Sequence, residues 1–364
     1  MNKIPIAQPI IGQEEISEVN KVLKSGMLAM GSKVKEFEDN FSQYLNANHS
    51  VAVSNGTVAL WLSLKAIGIK KGDEVITTPL SFVATANSIL FCGATPVFVD
   101  VDPLTYNIDP HKVQEKVSSR TRAILGVHLF GQPFDLKTLV EICNDNDLAL
   151  IEDAAQAHGA QFNGRKVGTT GIGCFSFYPT KNMVTGEGGM VTVKDEALDY
   201  ELRLMRNHGD EGKYNHTMLG YNSRMTDMQA ALGLVQLKKL DKMNSARIKN
   251  AEYYNEYIDV EGMTKPYAGK NLKHVYHQYV LRLEDEFPMT REEFIQYLSS
   301  KGVGSAIHYP KTIYEQPLYQ QMGYKQGICP VAEKMAHKMV SIPVHPKLSE
   351  EETEYVVNVI NDSQ

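Results

Sequence analysis

Seven short runs of apolar and β-branched residues recur along the chain. They are SVAVSN (50–55), DEVITT (73–78), TPVFVD (95–100), RAILGVH (122–128), LALIED (148–153), GCFSF (173–177) and GMVTV (189–193). Most are followed by a stretch of helical period. Near-continuous apolar runs of this length are typical of strands buried on both faces, and intervening helices supply the crossovers that parallel strands need. The pattern predicts an α/β fold whose large domain holds a mostly parallel, seven-stranded sheet flanked by helices. TVALWLSLKAIGI, between the first two runs, places its apolar residues on one helical face. DPHKVQEKV and DLKTLVEICNDND open on acidic residues, as helix N-termini prefer.

After about residue 240 the pattern changes. LKKLDKMNSARIKNAEYYNEYI reads as a helix linking two parts, HVYHQYVLRL (274–283) as a strand and REEFIQYLSSKGV as a helix. SEEETEYVVNVI reads as a closing helix begun by a Ser349–Glu352 capping box. This predicts two domains: 1–245, a large domain with an N-terminal arm, and 246–364, a smaller C-terminal α+β domain.

Composition narrows the function classes. The 364 residues carry a net charge of −6, without the basic excess of a nucleic-acid or anionic-membrane binder. Cys92, Cys143, Cys174 and Cys329 are scattered and suggest reduced thiols, not a disulfide framework. The N-terminal segment has no apolar signal core, and no apolar run reaches membrane-spanning length. A cytoplasmic location is expected.

Four segments carry candidate chemistry. Ser54-Asn55-Gly56-Thr57 follows a strand and opens a helix, where free N–H groups and the helix dipole favour an anion such as phosphate; an ordinary cap is the alternative. Glu152-Asp153 ends an apolar strand, the edge at which open α/β sheets bind ligands. Asp153 there suits a cationic ring nitrogen, a metal or a helix cap. Cys174–Asn182 is a strand ending in a polar turn with one lysine, Lys181, before the Gly-rich return Thr185–Gly189. Partial desolvation there lowers the amine pKa and makes it a nucleophile toward carbonyls. Gly220–Asp227 is a polar loop ahead of a helix.

The order of these segments matters more than any one of them. A phosphate cradle, a strand-end acid, then a serine and a lysine five residues apart are what pyridoxal 5′-phosphate (PLP) requires. Its phosphate needs donors, its ring nitrogen a carboxylate, its aldehyde a lysine. The chain resembles the DegT/StrS nucleotide-sugar aminotransferases, PLP enzymes of fold type I. The resemblance rests on VAVSNGTVAL, GDEVITTPLSFVATANSI, GATPVFVDVD, IEDAAQAHGA, FSFYPTKNMVTGEGGM, GYNSRMTDMQAA, IHYP and SIPVHP, from about residue 5 to 360.

That resemblance implies roles for individual residues. Lys181 forms the Schiff base and shuttles the proton; Asp153 pairs with the pyridinium nitrogen; Gln156 hydrogen-bonds the ring 3-oxygen. Thr57, the backbone of Gly56 and Val58, and the Ser176 hydroxyl hold the phosphate, and Phe82 stacks on the ring. Asn222 reaches the phosphate in the other subunit, so a homodimer with shared sites is implied. The implied reaction is a ping-pong transfer of an amino group from L-glutamate to a nucleotide-linked keto-sugar, as in polysaccharide or antibiotic-sugar pathways. Lys33, Arg224, His308 and Tyr309 are substrate-binding candidates by position and type.

Rival functions are weaker. Related dehydratases carry histidine in place of the lysine, and this chain keeps Lys181. A non-catalytic PLP-binding regulator is the other rival; regulators with a PLP-type domain carry a fused DNA-binding region, and this chain opens directly on the family pattern. A dinucleotide dehydrogenase lacks its GxGxxG here. No metal site is expected: His274 and His277, on a strand, would point to opposite faces.

Overall fold

The computed structural model describes residues 3–364. All seven apolar runs form strands: β1 (His49–Val53), β2 (Glu74–Thr77), β3 (Thr95–Phe98), β4 (Thr121–Val127), β5 (Ala149–Asp153), β6 (Ile172–Ser176) and β7 (Gly189–Val193). They make one sheet in the order β1-β7-β6-β5-β4-β2-β3. Only β7 runs antiparallel to its neighbours. The longer helices around the sheet are α1 (Gln13–Ser25), α2 (Ser32–Leu45), α3 (Gly56–Ala66), α4 (Ala84–Phe91), α5 (Leu136–Asp145), α6 (Glu196–Arg206) and α7 (Asp227–Tyr257).

Strand alternation sorts the core into two layers. Val51, Val53, Ile151, Cys174 and Val191 pack with α3, α4 and α6. Ala52, Leu150, Phe175 and Met190 pack on the other face with α2, α5 and α7. Gly233 lets α7 approach α2, since a Cβ there would sit 2.8 Å from the Phe37 ring.

The core changes within α7 rather than at a loop. Ala230, Leu234 and Leu240 lie under the large sheet, whereas Ala251 and Tyr254 join a second core. That core surrounds an antiparallel sheet, β8 (Met263–Thr264), β9 (Tyr279–Leu283) and β10 (Met339–Ile342), with α8 (Arg291–Ser300). α9 (Pro330–Lys338) follows, its first N–H groups capped by Asp100 at 3.0 and 2.8 Å, and its buried face joins Phe98 and Tyr106 in the large sheet's core. α10 (Glu350–Asn361) opens on the predicted Ser349–Glu352 capping box.

One sequence expectation needs correction. The strand predicted over 274–283 begins only at Tyr279. Val275 N–H donates to Gly131 O at 3.0 Å and Gln278 N–H to Phe130 O at 3.4 Å, so 274–278 follows the turn after β4 and carries His277 inward. β10 was not anticipated, because its four residues follow α9 without a turn signal. Among the described residues no helix is long and apolar enough to cross a membrane, and the four cysteines are buried and unpaired.

Candidate active site

The ends of β5 and β6 and the start of α3 open onto a cavity of about 810 Å³. Ten of the predicted residues line it: Gly56, Thr57, Val58, Phe82, Asp153, Gln156, Ser176, Lys181, His308 and Tyr309.

At the start of α3, Asn55 is the N-cap, and its Oδ1 accepts the Val58 N–H at 2.9 Å. This corrects one expectation: the Val58 N–H is already engaged by the cap, which leaves those of Gly56 and Thr57 as the donors without intrahelical acceptors. Gly56 lies tight against the end of β6. A Cβ there would meet Ser176 Cβ at 2.6 Å, so only glycine keeps the Ser176 hydroxyl beside these N–H groups. Overpacking of this kind costs about 1–3 kcal/mol. Gly56→Ala is therefore expected to weaken PLP binding by roughly tenfold or more, measured by absorbance titration of the cofactor-free protein.

Glu152 and Asp153 are adjacent but point to opposite faces of β5, as strand geometry requires. Asp153 faces the cavity and is 5% exposed. Its carboxylate accepts the Thr85 hydroxyl at 2.9 Å and the Ala155 N–H at 3.2 Å. Burial raises its pKa above the ordinary range, against those bonds and the Lys181 charge. Such a group gains greatly from a cation brought to it.

Glu152, fully buried, accepts the N–H groups of Gly168, Thr170 and Gly171, each at 2.8 Å. His128 Nδ1 accepts the Phe134 N–H, which leaves His128 Nε2–H to donate to Glu152 at 3.1 Å. Burial opposes the Glu152 charge, and His128 with the glycine N–H groups outweighs it, holding the carboxyl below its usual range. Glu152→Ala would orphan these donors and is expected to destabilise the protein by about 3–5 kcal/mol, read by chemical denaturation.

Lys181 sits in the turn between β6 and β7, where its N–H donates to Tyr178 O at 2.9 Å. The next residue pins this turn: Asn182 Nδ2 donates to Asn244 Oδ1 on α7 at 2.8 Å and to Val275 O at 3.0 Å. The enclosed amine is pulled by burial to a pKa of about 8, opposed by Asp153. Around it, His158 and His308 are held neutral, at about 3 and about 4, by burial and then by the Lys181 charge. His158 packs against Phe175 and Phe177.

Gln156 has a fixed amide. Its Oε1 accepts the Phe130 N–H at 2.7 Å, and its Nε2 donates to the Tyr309 hydroxyl at 3.0 Å. Phe82 is 56% exposed at the cavity, its ring centre 6.2 Å from that of Tyr309. His308 Nδ1 lies 2.9 Å from the Ser341 hydroxyl.

Three predicted residues are not brought to this cavity. Lys33 pairs with Glu36 at 2.7 Å on the surface of α2. Arg224 donates to Asn207 Oδ1 at 2.7 Å, and Asn222 is exposed in the same loop. Sequence reasoning left Asn55 between a helix cap and a phosphate cradle and gave no role to Thr85, Glu152, Asn182 or His277. Each stands inside a segment the sequence singled out, but a polar residue there does not say which way its side chain points.

Residues 9–361 match the DegT/DnrJ/EryC1/StrS aminotransferase family. The chain belongs to this family. It is 40% identical over 352 residues to dTDP-3-amino-3,6-dideoxy-α-D-galactopyranose transaminase of Aneurinibacillus thermoaerophilus, covering 96% of this chain and 95% of that one. It is 40% identical over 347 residues to the pleiotropic regulatory protein of Geobacillus stearothermophilus, covering 94% and 92%. Spr1654 of Streptococcus pneumoniae in its PLP form superimposes with a TM-score of 0.94 at 28% identity, over 99% of this chain and 98% of that one. The aminotransferase has the fold type I architecture, and its cofactor is PLP. The residues present fit that group: a cradle that a Cβ at Gly56 would fill, a buried strand-end acid and an enclosed amine.

Proposed function

We propose that this aminotransferase moves an amino group from L-glutamate to a keto-sugar linked to a nucleoside diphosphate, in two half-reactions that share one cavity. The observation that carries the reading is the meeting of the Lys181 amine and the Asp153 carboxylate in that cavity, beside the Gly56–Ser176 cradle. When bound, PLP supplies an electron sink for the charge left at the donor α-carbon. Lys181 Nζ takes the α-proton and returns one later, which requires a neutral amine near neutral pH; a pKa of about 8 suits that task. Asp153 would hold the proton on the ring nitrogen. The Gly56 and Thr57 N–H groups with the Thr57 and Ser176 hydroxyls would hold the phosphate, Gln156 Nε2 the ring 3-oxygen, and Phe82 the ring face.

His308 and Tyr309 line the cavity and are assigned to substrate. Arg224 and Lys33 remain candidates only from outside their own cavity. The sugar substrate is supported by the dTDP-sugar named in the Aneurinibacillus relative. The active unit is a homodimer in this reading, and exposed Asn222 belongs to the partner's phosphate site. The same reading divides the chain at 245 into a cofactor-binding part and a smaller part that closes the cavity with residues 277–309. Its free, buried cysteines fit a reducing, cytoplasmic setting.

The test is a half-reaction screen, with the pyridoxamine-phosphate form of the enzyme offered a panel of nucleotide keto-sugars. Formation of an amino-sugar with return of the PLP absorbance is the expected result. The regulatory name of the Geobacillus relative gives the second reading a specific footing. A protein that binds PLP yet takes no amino group from glutamate would favour that second reading.

A further inference from the structure

One wall of the cavity comes from residues 277–309, and it holds an imidazole that the reading above leaves unused. His277 is 5% exposed, lines the cavity and has no hydrogen-bond partner on its buried Nδ1. Behind it lies Arg247 of α7, also 5% exposed. Arg247 Nη1 donates to Tyr276 O and His277 O at 3.3 and 3.4 Å, both long for a guanidinium, and its Nε has no partner. Among the described residues no carboxylate forms an ion pair with Arg247. A buried cation without an acid is costly, and buried charges are normally paired.

The groups that bear on His277 deepen the imbalance. After burial itself they are Lys181, Arg247, His308 and His158, and all disfavour a proton on the ring. None is an acid, so this wall presents a neutral imidazole backed by an uncompensated positive charge. The cavity lining contains no arginine and no lysine besides Lys181. An amino donor nonetheless brings a carboxylate one bond from the carbon whose nitrogen is transferred. That carboxylate must lie close to Lys181, whereas a nucleotide diphosphate is held away from the reacting carbon by the sugar ring.

We propose that His277, backed by Arg247, is the seat for the α-carboxylate of the amino donor. The imidazole N–H donates to the carboxylate, and the buried guanidinium supplies the counter-charge. The assignment rests on the aminotransferase reading and adds the anion-binding half of the donor subsite to it.

Two measurements test it on His277→Phe. In the PLP-loaded enzyme, the glutamate concentration that half-saturates the spectral change should rise about tenfold or more, the loss expected for a hydrogen bond to a charged group. PLP loading and the KM for the keto-sugar nucleotide should stay near wild type, and His277→Asn, which keeps an N–H donor, should recover part of the loss. In the cofactor-free protein, calorimetric affinity for 2-oxoglutarate should fall by a similar factor. If the phenylalanine variant does not fold, His277→Leu carries the same expectation. Unchanged glutamate and 2-oxoglutarate affinities, or a loss confined to the sugar nucleotide, would overturn the assignment. A wild-type protein that transfers no amino group would instead overturn the proposed function, and the 2-oxoglutarate measurement would still decide the carboxylate seat.

Discussion

Replacing Lys181 with alanine is expected to lower turnover on the order of 10⁴-fold or more and to abolish the visible absorbance of the bound cofactor. No other lysine lines the cavity, so no second amine is placed to take over. Steady-state kinetics and an absorbance scan check this, and an alanine variant with normal activity and spectrum would contradict it. The same amine sets a pH dependence. Burial depresses its pKa from the ordinary 10.5 to about 8. Only the neutral amine attacks a carbonyl, so the rate of PLP uptake by the cofactor-free protein should fall roughly tenfold per pH unit below about 8. The linkage to stability has the opposite origin. Between about pH 8 and 10.5 the unfolded chain holds this proton and the folded chain does not. The cofactor-free protein should therefore gain stability as pH rises through that window, and Lys181→Ala should lack this gain.

Asp153→Ala is the second large effect. The carboxylate is buried at the end of β5 and oriented by Thr85 and Ala155, which fixes it against the ring nitrogen in the proposed arrangement. Without it the electron sink is weakened, while the Gly56–Ser176 cradle and Lys181 still hold the cofactor. PLP binding should survive in weaker form. Removal of the donor α-proton should slow on the order of 10²–10³-fold, the loss typical of one preorganised electrostatic partner. Exchange of the glutamate α-proton with deuterated solvent measures this step alone. An unchanged exchange rate would place the activating acid elsewhere.

Much of this was legible in the sequence for identifiable reasons. Most of the seven strands are buried on both faces and so leave near-continuous apolar runs, and β7 matched its run residue for residue. The positions of the candidate residues were legible where they sat at strand ends, because Asp153 and Ser176 close such runs and Lys181 follows one. Contacts across the fold were not legible. Nothing near residue 85 announces that its hydroxyl meets Asp153, 68 residues away. The Val58 N–H was misassigned because a cap hydrogen bond and a phosphate contact draw on the same first-turn donors. The strand expected from residue 274 failed because 274–278 is held by the turn at 130–131, which periodicity cannot anticipate. Lys33 and Arg224 were chosen by position in the chain and residue type, and local partners hold both.

The most direct test of the account is where the cofactor is attached. The PLP-loaded protein is reduced with borohydride, digested, and its peptides are mapped by mass spectrometry. The account predicts a single pyridoxyl adduct, on Lys181. An adduct on any other lysine, or none in a protein that has bound PLP, would contradict it.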